Sequence, residues 1–391
     1  MTTIGPTHTQ RRDAAFSAIS SISIRQWKQA MEAGKEARID ATRVDQIAEM
    51  AFGYLGGAVV AGMIYLGDEL GLYRALRGLG PATSQDLARR TGLNERWVRE
   101  WLRAQAAAKI LEYRGDGRFE LSPEAALVFA DEDNPASVIG SFSDLPDQLM
   151  MLKRARDSFR TGLGFTYDDG GEGVARSIER MLGPWNKTLL ITDALPKLEG
   201  VTARLAAGAK VADIGCGAAI ADVAMAKAFP KSEFHGYDNS ANALRRAQKN
   251  VEEAGLQNVF LHNVSNDPLP ADASFDLITC LDCLHDMPRP DAAAAAMRRA
   301  IKPDGVCFIV DIESSPDFEE NLANPLAPLM YGYSILTCMA SSASTPDGLA
   351  LGTTGLPEPR MRELMTAAGF SRFQRVAGLE HPFNAYYEVR P

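Results

Sequence analysis

The sequence predicts an α/β fold with a mainly parallel sheet, preceded by a smaller and mostly helical domain. In the second half of the chain, short apolar segments alternate with helical segments, the pattern of parallel strands joined by crossover helices. The last two strands follow each other without a helix, which predicts one antiparallel edge strand. In the first half, two capped helices precede a hairpin around Gly115, Asp116 and Gly117, and this arrangement predicts a winged helix.

The composition is that of an ordinary globular protein. The 391 residues are 46% hydrophobic and 23% charged, and their net charge of -9 argues against a nucleic-acid-binding surface. No run of about 18 apolar residues stands out, so we expect no membrane span. The five cysteines include no CxxC pair with metal-ligand partners. We therefore expect reduced thiols, no bound metal and a cytoplasmic protein.

Residues 1–40 are predicted to form an N-terminal helical arm. Arg11, Arg12 and Arg25, together with several serines, give this segment a faint resemblance to a transit peptide. Asp13 weakens that interpretation. Both alternatives, a targeting segment and an arm that packs in a dimer, stay open.

The winged-helix domain is predicted over 41–130 and opens with an apolar helix at 43–76. This helix carries apolar side chains on more faces than one small domain can cover. It predicts either a homodimer interface or a helix buried inside one large domain. Residues 131–200 follow as a helical connector that contributes to the active site, with a glycine-rich loop at 161–172.

Basic residues lie on the second helix of the predicted winged helix, where a DNA-binding protein would place its contacts. They are Arg96, Arg99 and Arg103, and Glu95 and Glu100 interrupt them. We expect this domain to serve dimerisation, with no nucleic-acid partner.

The chain is organised around a strand–turn–helix–strand unit at 211–240. Gly215 and Gly217 form a tight turn after the first strand, and such a turn lets a ligand approach the backbone and the helix N-terminus. Asp238 ends the second strand, where a carboxylate can accept hydrogen bonds from both hydroxyls of a ribose. The unit therefore predicts a nucleoside-containing ligand.

Two residues separate the possible ligands of this turn. Ile220 is too large for the last small position of a dinucleotide-binding turn. Asp213, just before the turn, would repel a pyrophosphate but suits an ammonium group. S-Adenosylmethionine (SAM) has an ammonium, a ribose and no phosphate, so it is the predicted cofactor.

One segment, 313–358, breaks the alternation of strands and helices. An insertion at the carboxyl ends of the strands lies over the ligand crevice, so we expect a lid. The predicted acceptor-binding residues are Met330, Tyr331, Tyr333 and Met339 in this lid and Tyr167 in the glycine-rich loop. The alternative is that these Met and aromatic side chains are simply core.

The pattern D-x-G-x-G followed by an acidic strand end resembles the first two motifs of class I SAM-dependent methyltransferases. The segments TGLGFTY, VADIGCG, DCLHDM, NPLAPLMYGYS and HPFNAYYEV resemble mycobacterial-type small-molecule methyltransferases with an N-terminal winged-helix domain. The resemblance begins at about Gly56. It implies a Rossmann-like, seven-stranded SAM-binding domain over 201–391.

The residues predicted to bind the cofactor lie at the carboxyl ends of four strands. They are Asp213, Gly215, Gly217, Asp238, Asn239, Asn263, Val264 and Cys280. Asp213 is expected to orient the ammonium of SAM and Asp238 to hold its ribose. The resemblance implies that Asn263 and Val264 lie against the adenine.

Leu284, His285 and Asp286 resemble the L-H-D-W segment of winged-helix O-methyltransferases, whose histidine is the general base. The sequence therefore predicts SAM-dependent methylation of a small, partly apolar molecule, on oxygen and with His285 as base. One alternative is S- or N-methylation by proximity without a base. Another is a SAM-sensing, DNA-binding regulator, and for His285 itself the alternative is a histidine that caps a helix or hydrogen-bonds to Asp286.

Overall fold

The structure, a computed structural model, describes residues 39–391, so nearly all of the predicted arm at 1–40 lies outside the described residues. The chain divides into two compact units, one ending at Met63 and the other running from Ile64 to Pro391. The helix α1 (Ala41–Glu69) crosses this division.

Helix α1 is shorter than predicted and strongly apolar. It ends at Glu69, because Gly71 adopts the left-handed conformation with φ of 67° before α2 (Leu72–Leu76) begins. The helix has a mean hydropathy of 1.6 over its most apolar 18-residue window, long and apolar enough to cross a membrane by length and composition. The core helix of a soluble protein can have the same length and composition, so the expectation of no membrane span stays a prediction.

The winged-helix region forms where the capping signals predict it. After α2 come β1 (Ala82–Thr83), α3 (Ser84–Thr91), α4 (Glu95–Ala107), β2 (Glu112–Gly115), β3 (Arg118–Glu120) and α5 (Pro123–Phe129). Thr83 and Asp86 form a reciprocal capping box at the start of α3, and Gly92 ends that helix. The strands pair in the order β1-β3-β2, which confirms the predicted helix-turn-helix and hairpin.

The connector contains two long helices, α6 (Leu145–Thr161) and α7 (Glu172–Leu189), with a 3₁₀ turn at Tyr167–Gly170 between them. Helix α7 begins well before the predicted position near residue 185. It runs through Pro184 and continues into a π-helical turn at Leu190–Ala194. The glycine-rich loop is therefore short and held between two helices.

The second half forms the predicted α/β sheet. Its elements are α8 (Val201–Ala207), β4 (Lys210–Ile214), α9 (Ile220–Ala228), β5 (Glu233–Asp238), α10 (Ala241–Ala254), β6 (Val259–Asn263), β7 (Phe275–Leu281), α11 (Pro290–Ala300), β8 (Ile301–Ile312), α12 (Phe318–Leu322), α13 (Ala327–Leu336), α14 (Cys338–Ser342), α15 (Glu358–Ala367), β9 (Arg372–Arg375) and β10 (Asn384–Arg390). The helices α12, α13 and α14 occupy the predicted lid segment.

The seven strands of this sheet lie in the order β6-β5-β4-β7-β8-β10-β9. The antiparallel strand, β10, pairs with both β8 and β9, so the prediction that it would be an edge strand was wrong. Six of its seven residues are buried, as an interior strand requires. The strand order reverses between β4 and β7, so the ligand crevice is expected at the carboxyl ends of these two strands.

Candidate active site

The glycine turn after β4 has the shape that the sequence predicts. Gly215 and Gly217 adopt left-handed conformations with φ of 70° and 54°. A Cβ atom on Gly215 would lie 2.5 Å from the Cys283 sulfur, whereas one on Gly217 would meet nothing within 4 Å. Gly215 is therefore required for packing, and Gly217 faces open space. Ala219 also adopts the left-handed conformation, with φ of 56°, where the resembled family has a third glycine.

Two buried acids lie beneath this turn. The side chain of Asp213 is 2% exposed, and its Oδ1 accepts a hydrogen bond from the Thr279 hydroxyl over 2.6 Å. Asp222, on α9, is fully buried beside Asp213. Burial raises the pKa of both carboxyl groups, and for Asp222 the neighbouring charge of Asp213 adds to that rise. Asp222 was not predicted from the sequence. The feature that could have indicated it is that Asp222 is the single acid in an Ala- and Met-rich helix.

The predicted ribose and adenine residues meet at the carboxyl ends of β5 and β6. Asp238 is the register partner of Asn263, and Val264 donates its backbone N–H to the Asp238 carbonyl over 3.0 Å. The Asp238 carboxylate accepts the N–H of Gly217 over 2.9 Å and that of Ser240 over 2.8 Å. Each carboxylate oxygen keeps a lone pair for a ribose hydroxyl. Asn239 is exposed beside them, so this part of the edge can hold a nucleoside.

Cys280 does not belong to this surface. Its side chain is fully buried in the core on one face of the sheet, so the prediction that it binds the cofactor was wrong. Its sulfur lies 3.4 Å from that of Cys283, which in turn bonds to the Ile214 carbonyl over 3.0 Å. Cys283 is the cysteine that packs against the glycine turn.

His285 lies between two aspartates just after β7. Its Nδ1 lies 2.7 Å from Asp311 Oδ1, and its Nε2 lies 3.1 Å from Asp286 Oδ1. Burial alone would lower the pKa of His285, but the two carboxylates outweigh burial and raise it well above the ordinary histidine value. The contact with Asp286 is an ion pair, since Asp286 Oδ1 accepts no hydrogen bond from the described residues, so the choice between base and hydrogen-bonded histidine stays open. Asp311 was not predicted from the sequence. It lies at the end of β8, the strand next to β7, and an acid at that position could have indicated it.

Tyr167 extends this arrangement from the glycine-rich loop. Its hydroxyl donates to Asp286 Oδ2 over 2.6 Å. Burial would raise the pKa of Asp286, but the charge of His285 and the hydrogen bonds to Asp286 lower it. Tyr167, Asp286, His285 and Asp311 thus form a continuous chain, which we call the acid–base chain.

A small cavity borders Tyr167. It has a volume of about 20 Å³, room for about one water molecule. Its lining is Gln148, Met151, Phe165, Thr166, Tyr167, Gly170, Val174, Leu336 and Thr337. An acceptor molecule can enter only if the surrounding loop and lid move apart.

The other four predicted acceptor residues do not line this cavity. Met330 is buried, and Tyr331 packs edge-on against Phe318 within the lid. Tyr333 is half-buried, and Met339 is 37% exposed. The lid residues that line the cavity are Leu336 and Thr337. They lie about one helical turn beyond Tyr333, which was predicted to line it.

A larger cavity of about 430 Å³ lies away from the acid–base chain. Its lining includes Arg180, which pairs with the buried Asp68 over 2.6 Å, and Arg246, which pairs with Glu179. These cations are already neutralised by carboxylates. The cavity therefore offers no unpaired charge for a ligand among these residues.

The site also contains donor groups of the kinds that bind metals. His285, Asp286 and Cys338 offer nitrogen, oxygen and sulfur atoms that lie within 4.8 Å of one another. Asp282, whose pKa burial raises to about 7, forms a second such group with His285 and Asp311. His285 Nδ1 lies within hydrogen-bond distance of Asp311 Oδ1, and Tyr167 donates to Asp286 Oδ2, whereas Asp286 Oδ1 and Asp311 Oδ2 are buried without a hydrogen-bond partner among the described residues.

Comparisons with known proteins agree with this architecture. A model of the methyltransferase domain matches residues 205–341, and a model of the Rv2258c-like winged HTH domain matches residues 58–130. The ubiquinone biosynthesis O-methyltransferase of Actinobacillus pleuropneumoniae is 36% identical over 110 residues, which are 27% of this chain and 46% of that relative. The match thus spans less than half of that relative's length.

Solved structures resemble most of the chain. Human N-acetylserotonin methyltransferase, determined in complex with SAM, aligns with a TM-score of 0.63 and 16% identity, covering 91% of this chain and 99% of that one. The N,N-8-amino-8-demethyl-D-riboflavin dimethyltransferase of Streptomyces davawensis aligns with a TM-score of 0.55 and 22% identity, covering 88% of this chain and 98% of that one. At these identities the likeness shows the fold.

The seven-stranded sheet, the glycine turn and the match over residues 205–341 identify a SAM-dependent methyltransferase domain in the second half of the chain. Ahead of that domain, residues 58–130 match the model of the Rv2258c-like winged HTH domain, in agreement with the winged helix in the structure. SAM is its cofactor, and the residues at the edge formed by β4, β5 and β6 fit it.

Proposed function

We propose that the protein transfers the methyl group of SAM to an oxygen of a small, partly apolar molecule, with His285 as general base. The observation that carries this proposal is the acid–base chain at the carboxyl edge of the sheet. Cys283, two residues before His285, packs against Gly215, which brings the chain close to the glycine turn. Donor site and base therefore lie side by side.

Asp311 orients the proposed base. Asp311 Oδ1 lies 2.7 Å from Nδ1 of His285, so a neutral His285 keeps its proton on Nδ1. The other nitrogen, Nε2, is then the one that can accept a proton. Nε2 lies 3.1 Å from Asp286 Oδ1, an oxygen without a hydrogen-bond partner among the described residues, and we expect the acceptor hydroxyl to bind beside these two atoms. Since the pKa of His285 is raised, the imidazole must first release a proton, and the base becomes competent as the pH increases.

The cofactor supplies a methyl group bound to a sulfonium, and the protein's task is to place it in line with the acceptor. Asp238 and Asn263 fix the nucleoside at one end of the edge. Asp213 lies at the other end, where its nearly inaccessible carboxyl group accepts a hydrogen bond from Thr279. Holding donor and acceptor together supplies much of the rate, with proton transfer adding to it.

The lining of the small cavity supports a partly apolar acceptor. Met151, Phe165 and Leu336 present apolar surface, while Gln148 and Thr337 offer a few polar groups. Such a mixture is typical of sites for small organic molecules. Incubation of the purified protein with SAM and a metabolite extract, followed by mass spectrometry of methylated products, identifies the acceptor. If no product gains a methyl group, the proposed activity is wrong.

An amine acceptor is the second candidate. Three carboxylates, those of Asp282, Asp286 and Asp311, surround the single histidine, and this excess of negative charge suits a positively charged amine. The structural neighbour from Streptomyces davawensis is by name an N-methylating enzyme, so the fold supports that chemistry. An amine or a thioether needs no base, and the His285 variants discussed below separate these classes.

We also propose a homodimer assembled through the N-terminal helices. Tyr54, Leu55 and Val59 on α1 are 66%, 61% and 58% exposed, a larger apolar surface than the described residues of one copy cover. In the winged helix, Arg96 pairs with Glu100 and Arg99 with Glu95, which favours dimerisation over DNA binding. A cytoplasmic location remains part of this proposal.

A further inference from the structure

The loop between α6 and α7 contacts both halves of the candidate site through two adjacent residues. Tyr167 donates its hydroxyl to Asp286 and so belongs to the acid–base chain. Asp168 directs its carboxylate at the first turn of α10, where Oδ2 accepts the Ala241 N–H over 2.9 Å and Oδ1 accepts the Ser240 hydroxyl. One 3₁₀ turn thus joins two sites that are far apart in the sequence.

Asp168 is linked through Ser240 to Asp238, the carboxylate expected to bind the ribose. A carboxylate at a helix N-terminus satisfies backbone N–H groups and is favoured by the helix dipole. Ser240, which donates its hydroxyl to Asp168, also donates its backbone N–H to Asp238 Oδ1 over 2.8 Å. The position of Asp238 therefore depends on Asp168.

The same loop is fixed to the lid. The N–H groups of Gly164 and Phe165 donate to the carbonyls of Ala343 and Ala340 over 2.8 and 3.0 Å. A Cβ on Gly164 would lie 2.0 Å from the Ala340 oxygen, and the Phe165 side chain is 6% exposed. The loop cannot change its position without moving the lid helix that carries Cys338.

We infer that Tyr167 and Asp168 couple cofactor binding to the assembly of the acceptor site. Asp168 is a positioning residue for Asp238, and Tyr167 is a positioning residue for Asp286. This inference rests on the proposed function, because it assigns the ribose to Asp238 and the acceptor to the acid–base chain. A cofactor that engages Asp238 fixes the turn at Ser240, and through Asp168 it fixes the loop and the Tyr167 hydroxyl.

Calorimetry with S-adenosylhomocysteine tests the first half of the link. Asp168→Asn is expected to weaken binding about tenfold or more, since a charge-assisted cap is lost. Tyr167→Phe is expected to bind within about twofold of wild type, because its hydroxyl serves the other half of the site. The matched control is Glu172→Gln, which removes another loop contact to α10, the 3.2 Å pair with Arg245, and should leave binding unchanged.

Alkylation of Cys338 tests the second half without any knowledge of the acceptor. The Cys338 sulfur lies within 4.8 Å of the donor atoms of His285 and Asp286, so its reaction with iodoacetamide, mapped by mass spectrometry, reports on the closure of the site. Saturating S-adenosylhomocysteine should slow this alkylation in wild type and Glu172→Gln. The protection should be lost in Asp168→Asn and Tyr167→Phe.

Equal protection of Cys338 in all four proteins would overturn the coupling, and wild-type affinity in Asp168→Asn would overturn the positioning role of Asp168. Thermal unfolding of each variant shows that it is folded, and Tyr167→Phe still tests the coupling if Asp168→Asn does not fold. Failure of the wild type to bind S-adenosylhomocysteine would refute the proposed function and the inference with it. The two failures are therefore distinguishable.

Discussion

Asp311 Oδ1 lies 2.7 Å from Nδ1 of His285, and both side chains are almost completely buried. The two residues come from neighbouring parallel strands, β8 and the segment that follows β7. This pairing fixes the orientation of the imidazole ring and leaves Nε2 as the nitrogen that can face an acceptor. It is the geometric basis of the predictions about catalysis.

His285→Ala separates a hydroxyl acceptor from acceptors that need no base. A positioned base typically contributes about 10²–10⁴-fold, so with a hydroxyl acceptor the turnover should fall by that factor while SAM affinity stays near normal. With a thioether, whose lone pair attacks directly, turnover should change little. The measurement is turnover of variant and wild type across pH, and near-normal turnover with a flat profile would remove His285 from the catalytic residues.

The expected pH dependence of turnover follows from the raised pKa of His285. The base must be neutral, and its raised pKa means that turnover should increase with pH above the ordinary histidine range of about 6.5. Asp286→Asn removes one of the two carboxylates that raise this pKa, so the increase should move to lower pH. Asp291→Asn, which changes an exposed acid paired with Arg289, is the control and should keep the wild-type profile. If Asp286→Asn has the same pH profile of turnover as the wild type, His285 is not the base.

Cofactor affinity should depend on Asp238. Two charge-assisted hydrogen bonds to a ribose contribute about 2–3 kcal/mol, so Asp238→Ala should weaken SAM binding by well over tenfold in calorimetry. Glu233→Ala, at the opposite end of the same strand and with a side chain 61% exposed, is the matched control. Unchanged affinity in a folded Asp238→Ala protein would refute the ribose assignment.

The winged helix should not read DNA. On α4, the guanidinium groups of Arg96 and Arg99 lie in ion pairs with glutamates one turn away, which leaves little positive field for phosphates. Fluorescence anisotropy with duplex DNA is expected to show only weak binding that does not depend on sequence. Sequence-selective, salt-sensitive binding in the nanomolar range would favour the regulator instead.

Self-association should depend on the exposed face of α1. Leu55→Glu places a charge on that face and is expected to convert a dimer to a monomer in light scattering at micromolar concentration. Gln46→Glu adds the same charge at an already polar, exposed position of the helix and should leave the dimer intact. A monomeric wild-type chain would contradict the dimer, and flotation with lipid vesicles would show that α1 binds a membrane instead.

Much of the cofactor site could be predicted because it is encoded locally. The glycine turn, Asp238 and the strand end at Asn263 lie within short motifs, and parallel pairing of β4, β5 and β6 brings them to one edge. The winged-helix elements were predictable for the same reason, since their capping residues act within one turn. The position of the antiparallel strand could not be predicted in the same way, because the residues of β10 do not determine which strands pair with it.

The sequence by itself determined the class of the protein, its cofactor and the strand-end carboxylate expected to hold the ribose. The tertiary structure alone decided that His285 lies between Asp311 and Asp286, and that Tyr167 reaches Asp286 from 119 residues away. It also decided that Cys283, not Cys280, packs against Gly215. The physical reason is that a spacing of two or four residues fixes local geometry, whereas contacts between distant segments depend on strand order and on the face to which each side chain points.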